Sequence, residues 1–110
     1  MPTLTERTCT SCNKNTPRLA PTEEETLHRQ VPEWQRADER LRRRFRFSDF
    51  RAAIRFVDRM AEIAEREGHH PLFAVDYDKV DVTLWTHAIG ALSENDFILA
   101  AKLDEAARAI

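Results

Sequence analysis

The stretch from Arg40 to Ala64 leaves the chain few ways to fold. Between Arg40 and Phe47, Leu41, Phe45 and Phe47 fall on one side and Arg40, Arg42, Arg44 and Arg46 on the other, with Arg43 the one cation on the apolar side. A period of two is that of a half-buried strand, because successive side chains point to opposite faces. At Phe50 the period changes. Phe50, Ala53, Ile54, Val57, Met60, Ala61 and Ala64 recur at helical spacing, while Arg51, Arg55, Arg59, Glu62 and Arg66 take the outer side. Ser48 is placed to cap this helix, Glu62 and Arg66 add an i,i+4 pair, and Gly68 occupies the position where a left-handed residue ends it. A strand that must hide one face, followed at once by a helix that must hide one stripe, predicts a sheet covered by helices.

The remaining elements complete that plan. Pro21-Thr22 before Glu23, Glu24 and Glu25 reads as a helix start with Thr22 as cap and Glu25 as its box partner, and Pro32 closes the helix. Trp34 to Ala37 is a strand, joined to the arginine-rich one by a tight Asp38-Glu39 turn. Leu72 to Asp76 and Val80 to Thr86 form a second pair. In the latter, Val80, Val82, Leu84 and Thr86 face one way and Asp81, Thr83, Trp85 and His87 the other. Ser93-Glu94-Asn95-Asp96 has the form of a capping box and opens a last helix through Leu99, Leu103, Ala106 and Ile110. The order α-β-β-α-β-β-α predicts an α+β fold, a four-stranded antiparallel sheet with three helices on one face. Residues 1–20, punctuated by Pro2, Pro17 and Cys9-Thr-Ser-Cys12, read as an irregular lead to one domain over 21–110.

Composition narrows the classes of function. With 42% apolar and 33% charged residues the 110-residue chain has the makeup of a single globular domain rather than a disordered or membrane-spanning one. The polar first twenty residues have no secretory core, so the expected compartment is the cytoplasm. Nine arginines oppose four acids between Arg36 and Arg59, and four bases oppose ten acids from Met60 onward. The arginines alternate with apolar residues as a solvated face does, and no nucleic-acid-binding module accompanies them, so no nucleic acid is expected as a partner. One Cys-x-x-Cys is half a zinc site; with no second pair nearby it is expected to be a reduced, metal-free pair. Only Gly68 and Gly90 are available, so there is no phosphate-cradling glycine loop.

Chemistry concentrates on the histidines. Gly68 stops a helix and Pro71 forces His70 into extended backbone, which pins His69 and His70 at a helix-to-strand corner with their rings pointing in opposite directions. His87 ends a strand that can approach that corner. Imidazoles donate and accept protons near neutral pH, so His69, His70 and His87 are candidate acid/base groups. Glu65, one turn before His69, is placed to orient it. Asp96 is a candidate partner whose simpler role is to reach back to the helix cap. Trp34 and Phe73 offer an aromatic wall for a flat ligand, although aromatics at strand positions are more often core.

Glu65-x₃-His69-His70-Pro71, Tyr77, His87 and Asp96, at these spacings and in this order, resemble the signature of the pterin-4a-carbinolamine dehydratases. The resemblance runs from about Pro21 to Ala107 and includes Trp34 and the Leu92–Phe97 helix opening. It implies loss of water from a 4a-hydroxytetrahydropterin to give the quinonoid dihydropterin, in the recycling of tetrahydrobiopterin after aromatic amino acid hydroxylation. No metal and no organic cofactor would be required. His69 and His87 would be the acid/base groups, His70 would hold the pterin, and Asp96 and Glu65 would orient and polarise them. Glu65, Trp34, Phe73 and Thr86 are the corresponding candidates for substrate contact. Members associate as homodimers or homotetramers. The family also includes dehydratase-like Rubisco assembly factors, so the alternative partner is the Rubisco large subunit.

Overall fold

The computed structural model describes residues 3–110. A single 3-10 turn, Leu4–Glu6, precedes α1 (Pro21–His28), β1 (Gln35–Ala37), β2 (Arg40–Arg46), α2 (Phe50–Glu67), β3 (Leu72–Asp76), β4 (Lys79–Leu84) and α3 (Glu94–Arg108). The expected order and the all-antiparallel sheet are both present, with strands arranged β1-β2-β4-β3. Both hairpins are tight. Asp38 and Glu39 take φ of 55° and 59°, the left-handed pair of a two-residue turn whose twist matches the flanking strands. Tyr77, at φ 54°, opens the equivalent turn between Asp76 and its partner Lys79.

The register decides which side chains are inside. Leu41 lies opposite Leu84, Arg43 opposite Val82 and Phe45 opposite Val80. Leu41, Phe45, Val80, Val82 and Leu84 are therefore one face, buried under α2 and α3, and Arg42, Arg44 and Arg46 stand in solvent on the other. Phe56, Met60 and Ile63 of α2 and Phe97, Leu99 and Leu103 of α3 complete the core. Burying a side chain such as Phe56 stabilises the fold by roughly 1.5–3 kcal/mol. β1 and β3 are the edge strands, and on β3 Leu72 and Phe73 are exposed.

Several boundaries differ from expectation by one or two residues. α1 is capped at Ala20, with Glu23, not Glu25, reaching back to the Ala20 N–H; Pro21 takes the first helical position, where its missing N–H costs nothing. Asp49, not Ser48, caps α2, its carboxylate accepting from the Ala52 N–H at 2.8 Å. β4 stops at Leu84, because Thr86 leaves the sheet to pair with Ala91 across a turn. Gly68 does end α2, with φ 67°. The lead is irregular beyond its first turn, yet it is docked: Leu4 is buried in the core beside α3.

Candidate active site

The corner after α2 holds two imidazole–carboxylate pairs that face away from one another. His69 Nε2 lies 2.6 Å from Asp96 Oδ1, and both groups are buried. His70 Nε2 lies 2.9 Å from Glu65 Oε1, and both are exposed. Opposite directions for the two rings follow from the extended backbone before Pro71, as the sequence requires. The pairing of carboxylates is different from the expected one. Glu65 serves His70 rather than His69, because the left-handed Gly68 reverses the chain and carries His69 inward beneath α3.

Asp96 does more than cap. Its Oδ2 accepts from the Ser93 backbone N–H at 2.9 Å and from the Thr86 hydroxyl at 2.8 Å, and Ser93 Oγ lies 2.6 Å from Thr86 Oγ1. Since the Thr86 proton goes to Asp96, Ser93 must donate to Thr86. Asp96 is wholly buried, and each of its oxygens has a hydrogen-bond partner. A carboxylate only accepts, so His69 Nε2 carries its hydrogen toward Asp96 and Nδ1 is left as the free nitrogen of the neutral ring. This arrangement fixes the tautomer of a buried imidazole, as acid/base chemistry needs.

The match to a family model, described as pterin 4 alpha carbinolamine dehydratase, runs over residues 17–106. The chain belongs to this family. A Gloeobacter violaceus relative, named provisionally as pterin-4-alpha-carbinolamine dehydratase 1, is 47% identical over 105 residues, covering 92% of this chain and 90% of its own. A similarly named Marinobacter nauticus protein is 41% identical over 109 residues, 96% and 98% of the two chains. Among solved structures, the transcriptional coactivator/pterin dehydratase of Brucella melitensis superposes with TM-score 0.79 at 36% identity, over 83% of this chain and 99% of that one. A pterin dehydratase-like RuBisCO assembly factor of the alpha-carboxysome superposes with TM-score 0.58 at 28% identity, over 67% and 86%.

In this pterin dehydratase family member the third imidazole has a partner of a different kind. Thr86 turns inward to Asp96, so His87, one residue on, turns outward. There its ring stacks on Trp85 with centroids 4.2 Å apart, and the Arg40 guanidinium lies over the same indole, 4.3 Å from its centroid. No hydrogen bond or ring stack joins His69, His70 and His87 among the described residues. Five clefts among the described residues, of about 130 to 690 Å³, are lined by other residues.

Trp34 is also placed differently from expectation. It is 1% exposed, edge-on to Phe45, with its indole N–H donating to Asp104 Oδ1 at 2.8 Å. It is core and cannot present a face to a ligand. Asp104 also accepts from Arg43 at 2.6 Å, and Arg43 lies over the Phe45 ring. Burial pushes the Asp104 carboxyl above its usual range against the pull of these two donors. The sequence carried a signal for this cluster: Arg43, the lone cation on an inward face, requires a buried acid. Phe73 sits exposed on the edge strand, away from the His69–Asp96 pair's hydrogen-bond network. No group of three or more metal-ligating side chains occurs among the described residues, and none of the helices described is long and apolar enough to cross a membrane.

Proposed function

We propose that this chain dehydrates a 4a-hydroxytetrahydropterin by proton transfer between substrate and imidazoles. The reaction removes the N5 proton, forms the C4a–N5 double bond and expels the 4a-hydroxyl as water, so one base and one acid balance it. The observation that carries the reading is the buried His69–Asp96 pair, backed by Thr86 and Ser93. With Nε2–H committed to Asp96, His69 offers Nδ1 as the base, and the carboxylate stabilises the imidazolium that results. His87, exposed and held against Trp85, is the acid that delivers a proton to the leaving hydroxyl. His70, steadied by Glu65, contacts the pterin. Positioned proton transfer of this kind contributes a factor of roughly 10²–10⁴, enough for an elimination that already proceeds slowly in water.

The test is the absorbance decay of freshly generated 4a-hydroxytetrahydropterin. Wild-type protein is expected to accelerate it well above buffer, and a rate equal to buffer with folded protein would remove the reading. His87→Ala is expected to lower kcat by about 10²-fold with KM changed little, since a proton donor acts in the transition state. Equal loss in both constants would make His87 a binding group only.

A second reading, a catalytically weak or inactive dehydratase-like Rubisco assembly chaperone, is favoured by the likeness to the RuBisCO assembly factor of the alpha-carboxysome. It predicts co-purification with Rubisco large subunits and no turnover. The closer superposition on the transcriptional coactivator/pterin dehydratase, 0.79 against 0.58, supports the dehydratase reading over it.

A further inference from the structure

The Cys-x-x-Cys segment has no part in the chemistry above, yet it is built around the residue beside Asp96. Asn95, 4% exposed, is enclosed by it on every polar side. Its Oδ1 accepts from the Thr10 N–H at 3.0 Å, and its Nδ2 donates to the Thr10 carbonyl at 2.7 Å and to Cys12 Sγ at 2.8 Å. Its main-chain carbonyl accepts from the Cys9 thiol at 3.6 Å. The Cys9 N–H reaches in the other direction, to Glu67 Oε1 at 2.9 Å, while Glu67 Oε2 takes Lys102 Nζ at 2.8 Å. Arg7 adds an ion pair to Glu94 at 2.6 Å.

The positions of these contacts give them meaning. Asn95 directly precedes Asp96, and Glu67 stands two residues before His69, with only Gly68 between. One short segment therefore contacts residues close in sequence to both partners of the buried pair: the Asn95 side chain and carbonyl beside Asp96, and the Glu67 carboxylate two residues before His69. We infer that residues Cys9–Cys12 are a brace for the His69–Asp96 pair, and that Asn95 and Glu67 are positioning residues for it. The physical need is plain. Asp96 sits in the first turn of α3 and His69 just past the last turn of α2, and helix ends are where main-chain bonds are fewest and opening is easiest. A proton-transfer pair must be held to within about 0.5 Å, which requires support behind it. A thiol suits the Cys9 position because it is small and can donate its hydrogen to the Asn95 carbonyl. Burial, then the Glu67 carboxylate, pushes the Cys9 thiol up to about 12, which keeps its hydrogen in place for Asn95.

The inference rests on the proposed dehydratase reading only for its kinetic arm. The structural arm is the proton resonance of the His69 Nε2–H, assigned by its disappearance in His69→Gln. Asn95→Ala is expected to make this proton exchange with water at least about 10-fold faster. In the kinetic arm kcat is expected to fall about 10-fold with KM within twofold. Ser11→Ala, an exposed change in the same segment, is expected to alter neither. Should Asn95→Ala fail to fold, Cys9→Ala/Cys12→Ala removes both sulfur contacts but keeps the Thr10 pairing, and is expected to shift both readouts in the same direction by less. A folded variant of lower Tm with unchanged His69 exchange and unchanged kcat overturns the brace and leaves the segment merely structural. If the wild type shows no turnover, the dehydratase reading fails and the exchange measurement alone decides this one.

Discussion

Asp96→Asn should fold, lose about 10³-fold in turnover and hardly alter pterin affinity. The side chain keeps its shape, so its oxygen can still take the Ser93 N–H and the Thr86 hydroxyl. Its amide then faces His69 with hydrogens where the carboxylate had lone pairs. His69 Nε2 must become an acceptor, which moves the ring hydrogen to Nδ1 and leaves the wrong nitrogen free. The negative charge that stabilises the imidazolium is also gone. A change of tautomer at a buried His–Asp pair costs up to about 10⁴ in other acid/base enzymes. Asp96→Ala is the harsher change. It strands the His69 N–H, the Thr86 hydroxyl and the Ser93 N–H in a site that is closed to bulk water, and a loss of about 3–5 kcal/mol of stability is expected. Steady-state kinetics on Asp96→Asn and urea unfolding of Asp96→Ala check the two halves separately. Unaltered turnover in Asp96→Asn would mean that His69 takes no proton during the reaction.

A loss of stability as large as that of Asp96→Ala is expected at Trp34. Trp34→Ala removes a fully buried indole and leaves its cavity against Phe45, at a cost of about 3–5 kcal/mol. Trp34→Phe keeps most of the volume and removes only the N–H to Asp104. It should cost less, about 1–3 kcal/mol, and retain turnover within about threefold, because the ring faces no ligand. A selective rise in KM in folded Trp34→Phe would restore Trp34 to the wall of a binding site. The pH dependence is a second check. The Asp104 carboxyl is raised in the folded state, chiefly by burial, so its share of stability is present below the usual carboxylate range and is lost as pH rises through the folded value. Losing the indole N–H removes one of the groups that hold the carboxyl down. The deficit of Trp34→Phe relative to wild type should therefore be greater at pH 7 than at pH 4.

Most of the fold was legible because its signals are local. The period-two run over Arg40–Phe47, the helical repeat to Ala64 and the stop at Gly68 each depend on a few neighbouring residues, and the register of β2 with β4 follows from which face is apolar. The errors at Ser48, Thr22 and Glu25 have one cause. Neighbouring Ser, Thr, Asp and Glu can all cap, and only the path of the chain into the helix selects among them.

The site was legible in part. The backbone rule at Pro71 separates His69 from His70, and the alternation along Val80–His87 already assigns Thr86 and His87 to opposite faces. That alternation is the reason His87 stands outside while Thr86 joins Asp96. Arg43 on the apolar side implied a buried carboxylate without saying which. The brace around Asn95 had no comparable signal, since the Thr10 and Asn95 contacts span 85 residues.

By itself the sequence determined the element order, the inward faces of strands and helices, and the divergence of the two adjacent histidines, because all of these follow from backbone geometry over a few residues. Tertiary structure alone decided that His69 takes Asp96 and His70 takes Glu65, that Trp34 is sealed against Asp104, and that the cysteine segment closes over Asn95. Each of those choices is settled by which helix end meets which strand end once the sheet is covered, and by the requirement that every polar group enclosed there find a partner.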